Sequence, residues 1–131
     1  LHDRAGYEKD LEPLVRREDV AVIGYYSLAS GFLTGKYRSH DDLGKSAARR
    51  NKVVRYLDER GLRILARLDE IAARRKATPA QVALAWLMAR PGIAAPIASA
   101  TSIEQLDELI GATSLVLSGI DIAELDVASG Y

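Results

Sequence analysis

The sequence predicts an α/β fold with parallel strands, in which only about two strands serve several helices. Three observations carry that prediction. Val20–Tyr26 is β-branched and aromatic, Ile93–Ile97 is a short apolar run, and helical patterns lie before, between and after them. Strands that alternate with helices pair in parallel through βαβ crossovers. Each strand also runs into a turn of small residues, Ser27–Gly35 after the first and Ser99–Ser102 after the second. Such strand ends are where α/β proteins gather anionic ligands, because the backbone approaches closely and N–H donors are left free. Two strands cannot make a covered parallel sheet, since such a sheet needs neighbours at both edges and helices on both faces. The sequence over residues 1–131 therefore reads as a piece of a larger α/β domain, incomplete on its own.

The elements follow in order. Leu1–Gly6 holds no strand, and Tyr7–Arg17 carries Tyr7, Leu11, Leu14 and Val15 at helical spacing with Pro13 as an interruption. Val20–Tyr26 is a buried strand. Arg38–Lys45 is a polar loop, and Ser46–Val54 is a basic helix of little amphipathicity. Leu57–Lys76 is the clearest helix, with Leu62, Leu65, Leu68, Ile71 and Ala72 on one stripe. Thr78-Pro79-Ala80-Gln81 is a capping box with Pro at the first helical position, which starts a helix that Pro91-Gly92 ends at about Arg90. Ile93–Ile97 is the second strand, Ser102–Gly111 a helix, and Ser118 caps a last helix through about Val127.

Composition narrows the function classes. The chain's 131 residues give room for one domain or part of one, and 48% apolar with 27% charged residues is ordinary for a soluble chain. Lys+Arg and Asp+Glu both count 18, so no global field draws in nucleic acid. Zero Cys removes thiolate metal sites and suits a reducing compartment. No apolar run reaches the ~18 residues of a membrane span, and no signal-peptide pattern appears. The expectation is a cytoplasmic protein with no nucleic-acid or membrane partner.

The chemistry concentrates at the two turns. Tyr25 and Tyr26 end the first strand, where an aromatic either packs in a core or stacks on a flat ring. Ser27, Ser30, Gly31, Thr34 and Gly35 supply hydroxyls and backbone N–H groups for phosphate oxygens, with Lys36 as a point charge. The glycine spacing is not that of the GxxxxGK[ST] loop, and Tyr37 follows Lys36. At the second turn, Ser99-Ala100-Thr101-Ser102 precedes Glu104 and Gln105. That pattern is either an anion-binding helix start or a plain capping box. Gln105 and Glu108 share a helical face and can reach one ligand. His2 and His40 lack a second ligand at metal spacing and read as solvated, so no metal site is expected. The basic run Arg49, Arg50, Lys52 and Arg55 reads as a solvated face, and Trp86 as core. No Ser/His/Asp set or carboxylate pair stands out.

Taken together, the strings Val22–Tyr37 (VIGYYSLASGFLTGKY), Thr78–Trp86 (TPAQVALAW) and Ala100–Leu106 (ATSIEQL), with Tyr56–Gly61 (YLDERG), resemble the C-terminal part of an aldo-keto reductase. The resemblance runs in order over nearly the whole chain. It implies the C-terminal part of a TIM barrel, an NADP-dependent oxidoreductase domain that reduces aldehydes and ketones to alcohols with NADPH, with NADH as the alternative cofactor. On it, Val20–Tyr25 corresponds to the seventh barrel strand and Ile93–Ile97 to the eighth. Tyr25 would stack on the nicotinamide, and Tyr26, Ser27, Leu28, Ser30 and Gly31 would line the pyrophosphate, with Lys36 adding charge. Ser99, Thr101 and Gln105 would meet the adenosine 2′-phosphate side, with Glu108 near the adenine.

The chain departs from the family pattern at three places: Leu109 stands where many members have Asn, Arg49 is the nearest counterpart of a loop Arg that covers the cofactor, and Ser99 is not basic. The family's catalytic Asp, Tyr, Lys and His lie on the first four strand ends, so the resemblance assigns no catalytic residue to this chain and implies that it is inactive by itself. The partner implied is a small carbonyl substrate of the full-length protein. A non-catalytic cofactor sensor, like potassium-channel β subunits of this fold, and an inactive fragment are the alternatives.

Overall fold

Two short strands, β1 (Val22–Gly24) and β2 (Ile93–Pro96), lie parallel and side by side in the computed structural model, which describes residues 1–45 and 47–131. Val22 pairs with Ile93, Ile23 with Ala95 and Gly24 with Pro96, so Ala94 is the extra residue of a bulge. Backbone bonds extend the ladder at both ends, from Val22 N–H to the Gly92 carbonyl (2.8 Å) and from Ile97 N–H to the Gly24 carbonyl (2.6 Å). The strands are shorter than the apolar runs that announce them. Val20 and Tyr25 lie outside β1 and are exposed, and Ile97 lies just past β2. With one pairing edge each, the outer residues of the runs have no second strand to bond to, and the ladder ends early. The arrangement is an incomplete barrel: two parallel strands with helices around them.

Six α-helices accompany the strands among the described residues: α1 (Glu12–Arg17), α2 (Ala47–Val53), α3 (Glu59–Arg75), α4 (Pro79–Met88), α5 (Ile103–Gly111) and α6 (Gly119–Ala128). The helix expected over Tyr7–Arg17 divides into a π-helical turn, Tyr7–Leu11, followed by α1. Pro13 accounts for the division, because its ring crowds the carbonyl four residues back and it has no N–H to donate. The expected start of α2 at Ser46 lies outside the described residues.

The capping signals set the other helix starts. Asp58 accepts from Gly61 N–H at 2.6 Å to open α3. Thr78 and Gln81 cap α4 reciprocally, at 3.2 and 3.0 Å. Ser102, rather than Thr101, caps α5, and Ser118 caps α6 in a box with Asp121. The helix expected to reach Arg90 stops at Met88, ahead of the Pro91-Gly92 turn.

The core lies where α3, α4, α6 and the loop after β1 meet. On α3 the buried face is Gly61, Ile64, Leu65, Leu68, Ile71 and Ala72. Leu62, expected on that stripe, is 43% exposed, and Ile64 is fully buried in its stead. The i, i+3, i+4 spacing from Gly61 makes Ile64 and Leu65 face inward and turns Leu62 about 100° away. Each fully buried Leu or Ile stabilises the fold by roughly 2 kcal/mol. Trp86 is core as expected, and its indole N–H donates to Asp126 Oδ1 at 2.9 Å. Arg4 and Arg90 flank the ring, with guanidinium carbons 5.6 and 4.5 Å from its centroid, and both pair with the same carboxylate.

His2 contradicts the sequence reading. It is 8% exposed, its Nε2 lies 3.4 Å from Asp58 Oδ1, and its ring meets Tyr56 edge-on at 4.8 Å. Two carboxylates face the ring: the neighbouring Asp3, with Oδ1 3.1 Å from Nδ1, and Asp58 of the α3 cap, fifty-six residues on. His40 is exposed, as expected.

Asp121 joins α6 to the end of α3. Its carboxylate accepts from Ser118 N–H (2.8 Å) and hydroxyl (2.7 Å), and pairs with Arg74 (2.7 Å) and Arg75. Burial acts to raise this carboxyl, but the Ser118 hydrogen bonds and the two guanidiniums outweigh it and hold it well below the usual carboxylate range. A depressed carboxyl contributes stability that is complete above its unfolded value of about 3.9 and is lost as pH falls toward the folded value. Asp121→Asn is expected to cost about 2 kcal/mol in urea unfolding at neutral pH. The gap to the wild type should narrow below about pH 4, where the wild type loses the same contribution; a gap independent of pH would contradict this account.

Candidate functional site

The loop after β1 is built from left-handed backbone. Tyr26 (φ 62°), Ala29 (49°), Ser30 (59°), Gly31 (89°) and Gly35 (79°) all have positive φ. Such conformations are uncommon for residues other than Gly and cost of order 1 kcal/mol or more each. Local bonds hold them. Ala29 N–H donates to the Tyr26 carbonyl and Gly31 N–H to the Leu28 carbonyl, both at 2.8 Å. The Ser27 hydroxyl donates to the Gly24 carbonyl (3.0 Å) and the Thr34 hydroxyl to the Gly31 carbonyl (2.7 Å). These two hydroxyls thus staple the loop, which leaves only their acceptor lone pairs for a ligand. Phe32 and Leu33 anchor the loop in the core, and the Phe32 ring stacks on Tyr56 at 5.4 Å.

Across from this loop stands the start of α5. Gln105 turns its Oε1 back onto Thr101, accepting from its N–H (3.0 Å) and hydroxyl (3.1 Å). The donors that Gln105 has left are those of its NH2 group. The Glu104 carboxyl is held below the usual range by a hydrogen bond from Ser102 and by its own backbone N–H. The positive end of α5 is therefore already partly compensated by an acid of its first turn. Attraction for an anion must come chiefly from elsewhere.

It comes from two cations on the opposite wall. A cleft of about 270 Å³ is lined by Leu28, Thr34, Lys36, Arg49, Ser99, Gln105, Glu108 and Leu109. The fold thus brings both turns, about seventy residues apart in sequence, to one cavity. Of the residues assigned to the cofactor from sequence, Leu28, Lys36, Ser99, Gln105 and Glu108 line it, together with Thr34, Arg49 and Leu109, which the sequence reading also named. Tyr25, Tyr26, Ser27, Ser30, Gly31 and Thr101 lie on the same two turns outside that lining. Tyr25 is 78% exposed at the end of β1, its ring edge-on to Tyr26 at 5.9 Å.

Gly31 is needed where it is. A Cβ there would meet Arg49 Nη1 at 3.0 Å and Lys36 Cε at 3.4 Å, on a backbone that L residues avoid. Arg49 was visible in the sequence as one of a basic run and, through the resemblance, as the nearest counterpart of a cofactor-covering loop Arg; its position in the cleft follows from the seating of α2. Leu109 supplies an apolar wall with Leu28. Among the described residues no cluster of three or more His, Cys, Asp or Glu could hold a metal ion, and no helix is long and apolar enough to cross a membrane.

A parallel strand pair with a cationic cleft at its C-terminal end defines an α/β protein of partial-barrel type. The family model for the aldo/keto reductase family matches residues 5–129, and the chain belongs to that family. It is similar to an aldo-keto reductase of Schizosaccharomyces pombe named with NADP(+), 34% identical over 113 residues, which cover 84% of this chain and 33% of that protein. It is also similar to an uncharacterized oxidoreductase of Mycobacterium bovis, 40% identical over 111 residues, or 84% of this chain and 34% of that protein. The crystal structure of a thermostable aldo-keto reductase in complex with the inhibitor epalrestat superposes with a TM-score of 0.67 at 27% identity, covering 96% of this chain and 36% of that one. The chain spans about a third of the length of the relatives it matches.

Proposed function

We propose that these residues form the C-terminal, cofactor-holding part of an NAD(P)H-dependent aldo-keto reductase, following barrel strand six, with β1 and β2 as strands seven and eight. The observation that carries the reading is the shared cleft: both turns, with two cations and an acid, face one cavity. The donor set suits a dinucleotide. Lys36 and Arg49 would neutralise phosphate oxygens, Gln105 would donate to them, Glu108 would accept from a ribose or base N–H or O–H, and Leu28 and Leu109 would pack on flat apolar surface. Tyr25, exposed at the end of β1, would lie against the nicotinamide, with Tyr26, Ser27, Ser30, Gly31 and Thr101 shaping the two turns around the cofactor. The bound nicotinamide supplies hydride to an aldehyde or ketone. This chain's part is to bind and orient the cofactor and to shield it. The reading assigns the proton donor to the carbonyl to no residue of this chain, and it takes the substrate to be a small carbonyl compound.

The test separates holding from reacting. Titrated with NADPH, the chain should bind it far more weakly than an intact barrel does. With NADPH and an aldehyde together, the nicotinamide absorbance should not decay. Absence of any dinucleotide binding would contradict the reading, and turnover would contradict the division of labour.

A further inference from the structure

Helix α5 carries Gln105, Glu108 and Leu109 of the cleft lining, yet none of its nine residues is buried. Ile103, Leu106 and Ile110 are all exposed, so no apolar stripe keys this helix into the core. Helix α4 is the opposite case: Ala80 and every residue from Val82 to Trp86 are buried. Gln81 joins the two. Its Oε1 accepts from Thr78 N–H at 3.0 Å and closes the capping box of α4, while its Nε2 donates to the Glu108 carbonyl at 3.1 Å. Gly111, about one turn further along α5, makes room for that amide: a Cβ there would fall 2.4 Å from Gln81 Nε2. Both ends of the amide are thus committed, the oxygen to the buried helix and the nitrogen to the exposed one.

We propose that Gln81 is a positioning residue of the cleft: by holding the Glu108 carbonyl, it fixes where α5 presents Gln105 and Glu108 to a ligand. The inference rests on the reading of the cleft as a dinucleotide site. Gln81 lies outside the cleft lining, so it acts through the helix it seats. The Glu108 carbonyl also accepts the Ala112 N–H within the last turn of α5, and Gln81 occupies its second lone pair. Loss of the donor therefore leaves α5 helical but free to shift against α4. Ala112, buried at the C-terminal end, is then the pivot, and Gln105 towards the other end moves farther than Glu108.

Three variants separate this role from a general loss of stability. Gln81→Met removes the donor without adding charge, and with it the Gln81 half of the capping box. Gly111→Ala keeps Gln81 but occupies the place of its amide, the flexible end that must give way. Thr78→Ala removes the other half of the box and leaves the donor in place. Each is measured for urea unfolding, for NADPH binding and for the carbon-13 shift of the Glu108 carbonyl, which reports the hydrogen bond directly. In Gln81→Met and Gly111→Ala the carbonyl should move upfield and the NADPH dissociation constant should rise about fivefold. In Thr78→Ala both should match the wild type, although α4 has lost a cap. Should Gln81→Met fail to fold, Gly111→Ala decides by the same two readings, since Ala favours the helix over Gly. An unmoved carbonyl overturns the contact. A moved carbonyl with unchanged NADPH affinity overturns the positioning role, as does an equal loss of affinity in Thr78→Ala. A carbonyl that moves in the variants of a chain whose wild type binds no dinucleotide shows instead that the functional reading of the cleft has failed, and the positioning role falls with it.

Discussion

Gly61→Ala is expected to destabilise the protein by about 2–4 kcal/mol, visible as a large fall in the urea midpoint. Gly61 lies in the first turn of α3, where Ala would normally be favoured over Gly by about 1 kcal/mol. Here a Cβ would fall 1.8 Å from the Tyr56 carbonyl oxygen, 2.9 Å from its carbon and 3.0 Å from Phe32 Cζ. The first two are backbone atoms and cannot swing aside as the end of a flexible side chain would. Relief requires α3 to move off the Val54–Tyr56 turn, which opens the stack of Phe32 on Tyr56. Phe32 roots the loop that lines the cleft, so ligand binding should weaken together with stability. An unchanged or raised midpoint would show that this close approach is not part of the folded structure.

The second large effect concerns the cleft. Lys36→Met and Arg49→Met each remove a cation from its lining, and each should raise the NADPH dissociation constant about tenfold. Their side chains converge beside Gly31, within 3.4 and 3.0 Å of the position its Cβ would occupy. Neighbours that serve one ligand group do not add independently. The double variant should therefore fall between tenfold and a hundredfold weaker. Added salt should weaken binding by the wild type and have much less effect on the double variant, since screening acts on the charges that have been removed. Both cations lie outside the core, Lys36 with its Nζ 5.0 Å from the centroid of the Tyr37 ring, so unfolding stability should stay within about 1 kcal/mol of wild type. Equal affinity of wild type and double variant would mean that the anion is held elsewhere.

The helices were the most legible part of the fold. The capping box at Thr78, the Ser118 cap and the stripe on α3 are local signals, each set within a few residues, and the structure forms them there, Leu62 apart. The strands were legible in existence and parallel pairing but not in length, because a strand's ends depend on neighbours that local sequence does not contain. His2 was misread for the same reason: the groups that bury it, Phe32, Tyr56 and Asp58, arrive through the tertiary fold. At the cleft, the turns at Ser27–Gly35 and Ser99–Ser102 announced themselves by small residues. Their meeting in one cavity, and the placement of Arg49 in it, depend on how α2 docks, and α2 has no apolar stripe from which docking could be read. Left-handed backbone at Tyr26 and Ala29 was equally hidden, since neither residue type favours it.

The central claim is that the two turns make one dinucleotide cleft, and amide-resonance NMR of the chain titrated with NADPH tests it most directly, because it locates even weak binding. The account predicts saturable shifts gathered on Leu28, Lys36, Arg49, Ser99, Gln105 and Glu108, from both turns at one common dissociation constant. Shifts confined to one turn, or gathered instead on the groove between α3 and α6 around Arg63, Arg67, Ile120 and Val127, would contradict it.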